Sequence, residues 1–355
     1  MLDENRLLGH LRGLNQEQRV REFEIRAGKQ LLVAMREATS GVGFDEIIKD
    51  EFESLLTTEV KLLYLCTALA TDAGYRITEQ QFVACAEEAP AKALHALRRN
   101  LVGIVIPTGP RQDLLLLRHR LIAQFVLDKV AAPQLVSAAY VRLLRVLAPE
   151  IAGLGRRSRT FGLYRELLNH KTLFYRFATT VDEARAIYDS IGGVVGDEFD
   201  YWLQYGLLEL EFGNLELAEN YLRQAESLYP KSDYVRNSIG HLILKKGIEA
   251  ESLAVATQLR HEASELLVDQ MANSDSPYPY HIYCSHRLTW ARTWVEGRAT
   301  LQAELEHLRE VVKEGRKRYG RNRQLRKLEE QLDEEYMWLA VKREGVADSR
   351  GPEGK

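Results

Sequence analysis

The densest group of side chains able to bind a metal or act as a nucleophile lies in PYHIYCSHRL, where His281, Cys284 and His286 put three zinc-type donors within six residues. A structural zinc takes four such donors, and no fourth is close in sequence, so ordinary packing at the start of a helix is the competing reading. Arg118 and His119 stand where an apolar run gives way to HRLIAQFVLDKV. Free amides and the dipole at a helix start favour anions, so this pair could touch a phosphate or act as a local cap and ion pair. In a helix begun by Pro90, Lys92, His95 and Arg99 share the face opposite Leu94, Leu97 and Leu101, and with Arg98 they form a candidate duplex-reading surface. From Arg76 to Lys129 there are only eight cations against five acids, which equally suits a solvated or domain-facing surface. A second basic run, KEGRKRYGRNRQLRK, has eight cations and one acid and contains Lys313, Arg316, Lys317, Arg318, Arg321 and Arg323. It reads as a landing site for an acidic partner or nucleic acid, or as a turn offset by Glu310, Glu329, Glu330, Asp333, Glu334 and Glu335. The chain has no GxxxxGK[ST], GxSxG, HExxH or paired CxxC pattern. The expectation is therefore no catalytic residues, no bound metal and no ATP held by a P-loop of its own.

These side chains must be positioned by helices. With 45% apolar and 28% charged residues, the 355-residue chain has the composition of a globular protein. Its 48 Lys and Arg against 51 Asp and Glu, net charge -3, exclude a globally basic nucleic-acid coat. The apolar stretch from Leu101 to Pro107 is far shorter than the roughly 18 residues of a membrane span. Acids in MLDENRLL stand where a signal peptide would be basic, so a soluble, cytoplasmic protein with no membrane contact is expected. Cys66, Cys85 and Cys284, odd in number and widely spaced, suit reduced buried thiols. Nine prolines and 24 glycines leave long stretches with apolar residues at three- and four-residue spacing, so the fold class is mostly α.

The first 56 residues form a helical segment in this reading. Leu31, Leu32, Met35 and Ala38 give one apolar face that ends at Gly41, and a second helix runs through Ile47, Ile48, Phe52 and Leu55. Residues 57–131 begin with a helix buried along Val60, Leu63, Cys66 and Ala70. Thr78 and Gln81 then make a capping box, Pro90 opens a further helix, and two β-prone runs flank Thr108, Gly109 and Pro110 as a hairpin. Three helices, a hairpin and a helix is the order of a winged helix-turn-helix unit. A helical connector, 132–159, leads into helical repeats over 160–344. Trp202, Gly206, Ala218 and Pro230 fall at the relative positions of the 34-residue tetratricopeptide pattern, although Glu209 and Leu222 replace its usual aromatics. A shift of 34 puts Gly240 and Gly247 in register with Gly206 and Gly213, and the reverse shift brings in Ala184 and Tyr188. Trp202, Trp290 and Trp294 read as core. Leu325, Leu328, Leu332, Tyr336 and Leu339 form the stripe of a capping helix, and 345–355 reads as a disordered tail.

KQLLVAMREATSGVGFDEII and LLLLRHRLIAQFVL, with the winged-helix pattern between them, resemble the region after the nucleotide-binding core of bacterial STAND-type P-loop NTPases, many of which continue into tetratricopeptide-like repeats. The resemblance implies a non-catalytic regulatory and recognition module of a nucleotide-gated switch, its repeats binding a protein trigger in anti-phage defence or signalling. It would make His119, with Arg118 beside it, a sensor of ATP or ADP phosphate on a partner NTPase or missing domain. No P-loop precedes Lys29, so the chain would be a fragment, a split protein or a descendant that lost the switch. The alternatives are a winged-helix transcription regulator reading DNA through Lys92, His95, Arg98 and Arg99, a stand-alone repeat scaffold, and an enzyme using His281, Cys284 and His286.

Overall fold

Leu62, Leu63, Tyr64, Leu65 and Cys66 are five consecutive buried residues, more than one stripe of a helix can hold, so the helix that carries them is surrounded. The computed structural model describes residues 15–25, 42–86 and 90–341. The chain divides into two units, residues 1–195 and 196–355, and the described residues are mostly helical. The segment around Leu31 to Gly41 and the tail 345–355 lie outside the described residues. The boundaries read at 56, 131 and 159 all fall inside the first unit.

The first unit contains α1 (Gln16–Ile25), α2 (Val42–Glu53), α3 (Thr58–Asp72), β1 (Ile77–Thr78), α4 (Glu79–Ala84) and α5 (Pro90–His95), the last continuing as a wide turn to Asn100. Then come β2 (Val105–Thr108), β3 (Leu114–Leu117), α6 (Arg120–Phe125), α7 (Pro133–Leu154), α8 (Phe161–Leu168), α9 (His170–Thr172) and α10 (Val181–Val195). Helix α3 is the surrounded one, with α6, α7 and β3 packed on it, so its burial extends well beyond the Val60–Leu63–Cys66–Ala70 stripe. Its last turn ties down other elements. Thr71 Oγ1 accepts a hydrogen bond from Leu117 N at 2.8 Å, and the buried Asp72 carboxylate pairs with Arg176. The sheet order is β1-β3-β2, all antiparallel, with Leu117 opposite Val105 and Leu115 opposite both Pro107 and Ile77. Alternation sends Leu115 and Leu117 into the core. Gly109, with φ +84°, makes the hairpin turn in a backbone region that favours glycine.

The Thr78–Gln81 capping box forms reciprocally, and Pro90 opens α5. The inward face of α5 is rotated from the expected leucine stripe: Ala93, Ala96 and Leu101 are buried, while Leu94 and Leu97 are only partly so. Small residues let α5 lie close to its neighbours, and the wide turn after His95 resets the phase by which the stripe was read.

The second unit is a succession of helix pairs: α11 (Phe199–Phe212) with α12 (Leu215–Leu228), α13 (Asp233–Ile248) with α14 (Leu253–Asn273), and α15 (Tyr278–Trp294) with α16 (Arg298–Arg318). They are followed by α17 (Arg323–Val341). Side chains of Asn214, Ser232, Ser252 and Asn322 cap the following helices. Glycines set the approach within pairs. A Cβ on Gly206 would lie 2.8 Å from Leu222, and one on Gly240, 34 residues on, would lie 2.7 Å from Leu267, so the close-approach glycine recurs at 34 while its leucine partner lies 45 residues on, in the longer α14. Gly247 lies inside α13, whereas Gly213 is the C-cap of α11. Ala184 and Tyr188 are buried in α10 of the first unit. The first helices begin at Phe199, Asp233, Tyr278 and Arg323, so the interval is 34 once and then 45 twice, because α14 and α16 each run 21 residues. Trp290 is buried and donates to Ala256 O at 3.1 Å, and the partly buried Trp294 donates to Ile248 O at 3.2 Å, which fixes α15 on the preceding pair. Leu325, Leu328, Leu332 and Leu339 bury the inner face of α17.

Candidate functional site

Helices α11, α13 and α15 form one layer of the second unit and bring a polar group to its interior side. His241 of α13 and His286 of α15 have ring centroids 4.0 Å apart. Both are eight residues after the start of their helices and 45 residues apart, so they are equivalent positions of successive pairs. Lys245 is one turn beyond His241 and donates to Leu210 O at 2.6 Å. Glu211, 34 residues before Lys245, is its equivalent in α11. Burial, then the nearby charges of His281 and Lys245, push the His286 imidazole down to about 4, with Glu211 pulling the other way. His286 is therefore neutral at physiological pH, and stacking on His241 is compatible with that state. The arrangement combines one fixed cation, one acid and stacked imidazoles, groups that can contact a polar ligand.

The expected donors His281, Cys284 and His286 share α15 but do not converge. At three- and five-residue offsets, His286 projects far from the Cys284 side of the helix. The Cys284 thiol is buried beside Leu308 O, and burial, then Glu304, raises it well above the usual thiol range, which disfavours the thiolate a metal or a nucleophilic reaction needs. Among the described residues no group of three His, Cys, Asp or Glu side chains is arranged to hold a metal ion. Cys66 and Cys85 are also buried free thiols.

Arg118 Nη2 donates to Glu51 Oε2 at 2.6 Å, and His119 is the N-cap of α6, its Nδ1 accepting from Leu121 N at 3.1 Å. That bond places the ring proton on Nε2, and burial lowers the His119 pKa below its ordinary value. Lys92, His95, Arg98 and Arg99 are all exposed. Lys92 and His95 line a cleft of about 460 Å³ whose other wall includes Thr57 and Glu59. In the basic run, Lys313 pairs with Glu310 at 2.7 Å, Arg316 with Glu329 at 3.3 Å, and Arg318 lies 3.8 Å from Asp275 while donating to Met271 O. Lys317, Arg321 and Arg323 are exposed with no ion pair among the described residues. No helix among the described residues is long and apolar enough to cross a membrane.

Glu211, His241 and Lys245 escape a residue-by-residue reading of the sequence. The signal that relates His241 to His286 is the shift of 45 residues between Asp233 and Tyr278, which a search for a constant 34-residue period passes over, whereas Glu211 and Lys245 are linked by the 34-residue shift between Phe199 and Asp233. Comparison with protein-family models, curated proteins and solved structures gives no match to this chain.

Proposed function

We propose that the chain is a non-catalytic regulatory and recognition module. In this reading the second unit is a tetratricopeptide-like array that binds a protein trigger on the α11–α13–α15 layer. The first unit is a winged-helix body that docks on a STAND-type NTPase partner or domain, in an anti-phage or signalling switch. One observation carries the reading: the glycine that sets the close approach of α11 to α12, Gly206 against Leu222, recurs 34 residues later as Gly240, set against Leu267 of the longer α14, as expected of stacked pairs. The order of helices about the β1-β3-β2 sheet supports the docking half. Contact of Arg118 and His119 with a partner's ATP or ADP phosphate belongs to the same proposal, and it requires the Arg118–Glu51 pair to open. A second reading, DNA binding through Lys92, His95, Arg98 and Arg99, is favoured by the exposure of all four.

The test places a photo-crosslinking residue at position 211 or 245, and in control chains at the exposed positions Glu262 and Glu265 of α14. Irradiation in extract of the producing organism is expected to give a discrete protein adduct from the first two positions and none from the controls. Equal adducts from both layers, or none from 211 and 245, would overturn the proposal.

A further inference from the structure

The segment Gly155–Thr160, GRRSRT, joins α7 to α8. Its residues alternate: Arg157 and Arg159 are exposed, whereas Ser158 and Thr160 are buried. The buried hydroxyls explain the alternation. Ser158 Oγ donates to Glu150 Oε1 at 2.6 Å, lies 2.7 Å from Thr160 Oγ1, and accepts from Thr160 N at 3.0 Å. The second carboxylate oxygen, Glu150 Oε2, accepts from Gln81 Nε2 at 3.1 Å, and Gln81 Oε1 accepts from Thr78 N to close the capping box of α4.

This network fixes the backbone and also decides the fate of the charges. Glu150 is the acid at the end of α7 to which a loop arginine would ordinarily pair, but each of its oxygens accepts from a neutral donor and no arginine pairs with it among the described residues. Arg157 and Arg159 make no ion pair among the described residues. The guanidinium of Arg156 lies over the Phe161 ring, 5.6 Å from its centroid. Tyr75 packs on the first turn of α8, since a Cβ on Gly162 would lie 2.6 Å from its hydroxyl, and the exposed Arg76 follows it directly. These elements carry five cations (Arg76, Arg156, Arg157, Arg159 and Arg165) against Glu79, Glu150 and Glu166, and Glu150 is turned inward.

We infer that the Gly155–Thr160 segment is a binding surface for the phosphodiester backbone of a nucleic acid. Arg157 and Arg159 sit two residues apart on chain held extended at Ser158, which separates their bases by about 7 Å, comparable to the interval between successive phosphates of one strand. Arginine suits phosphate oxygens because its planar donors bind them in pairs. The surface carries no base-reading element, so it positions a strand without selecting sequence. It is distinct from the α5 residues Lys92, His95, Arg98 and Arg99.

The test uses the full chain and fluorescently labelled 20-nucleotide single strands and 20-base-pair duplexes of mixed sequence, read by anisotropy between 50 and 200 mM salt, with polyglutamate as competitor. Binding at 50 mM salt that weakens steeply with salt is expected for at least one nucleic-acid probe. R157A/R159A should lose tenfold or more and flatten the salt dependence by about 1.5 in log–log slope, the share of two phosphate contacts. K129A/K231A, which removes two exposed cations outside both candidate nucleic-acid surfaces, should bind within threefold of the parent chain, and K92A/R98A/R99A tests the alternative α5 surface. Both arginines are exposed, so the double variant should retain the parent's circular dichroism; if it does not, R157K/R159K, which keeps charge but loses the paired donors, should still weaken binding at least threefold. Absence of binding at 50 mM salt overturns the inference. So do equal binding by R157A/R159A, loss confined to the α5 variant, or displacement by polyglutamate at equal charge concentration, which would mark an acidic protein as the partner.

Discussion

Acidification should loosen the second unit through one imidazole. In the folded chain His286 titrates at about 4, depressed first by burial and then by His281 and Lys245, whereas an unfolded histidine titrates near 6.5. Between those values the unfolded chain holds a proton that the folded chain lacks, so stability is complete above about pH 6.5 and declines as pH falls towards 4. The interval of about 2.5 pH units corresponds to about 3 kcal/mol at its acid end. All four tryptophans (Trp202, Trp290, Trp294 and Trp338) lie beyond residue 195, so urea unfolding followed by tryptophan fluorescence reports the second unit alone. H286Q removes the titration but also the stacking on His241, a loss of about 1 kcal/mol at pH 7.5. The parent should therefore be the more stable at pH 7.5 and the less stable at pH 4.5, and the two curves should cross. Carboxylates titrate in both proteins and cancel in the difference. Parallel stability curves from pH 7.5 to 4.5 would refute the assignment of the acid sensitivity to this residue.

Two further perturbations probe the packing. Gly240→Ala puts a methyl group 2.7 Å from Leu267 and 3.1 Å from Leu266 across the α13–α14 approach, and should lower stability by about 1 to 3 kcal/mol in the same urea assay. Unchanged stability would show that the approach is not tight. Glu304 holds the buried Arg287 through both oxygens and also faces Arg260, so Glu304→Leu leaves two cations without their acid and should cost about 3 to 5 kcal/mol. A loss below 1 kcal/mol would mean that the pair is worth no more than a surface one.

Elements set by local chemistry were legible in the sequence. The capping box at Thr78, the helix start at Pro90, the hairpin turn at Gly109 and the stripe of α17 depend on residues within one or two turns of each other, and each was placed from spacing alone. Features that depend on tertiary surroundings were not. Helix α3 is apolar on most sides because α6, α7 and β3 cover it, and a stripe search selects one face of such a helix arbitrarily. The His241–His286 layer needs two helices brought together at a 45-residue interval, which the lengthening of α14 hides. For Arg118 the sequence left a phosphate contact and a local cap or ion pair open, and it could not name the ion-pair partner because Glu51 is 67 residues away.

The same reasoning explains why the length of a basic run is a poor guide to its availability. From Lys313 to Lys327 there are eight cations, yet Lys313, Arg316, Arg318 and Arg326 each have an acid within 4 Å, supplied by their own helix or by a neighbour. Arg142 and Arg176 are likewise engaged, by Glu59 and by Asp72 with Asp128. GRRSRT is shorter and unremarked by composition, but the carboxylate beside it is engaged by a serine and a glutamine and by no arginine, and Arg157 and Arg159 are exposed. An acid satisfied by neutral donors leaves nearby arginines for a partner, whereas an acid satisfied by an arginine removes that arginine from the surface. By this logic Ser158→Ala should draw a loop arginine towards Glu150 and weaken the inferred phosphate contact, even though Ser158 itself is buried and touches no ligand.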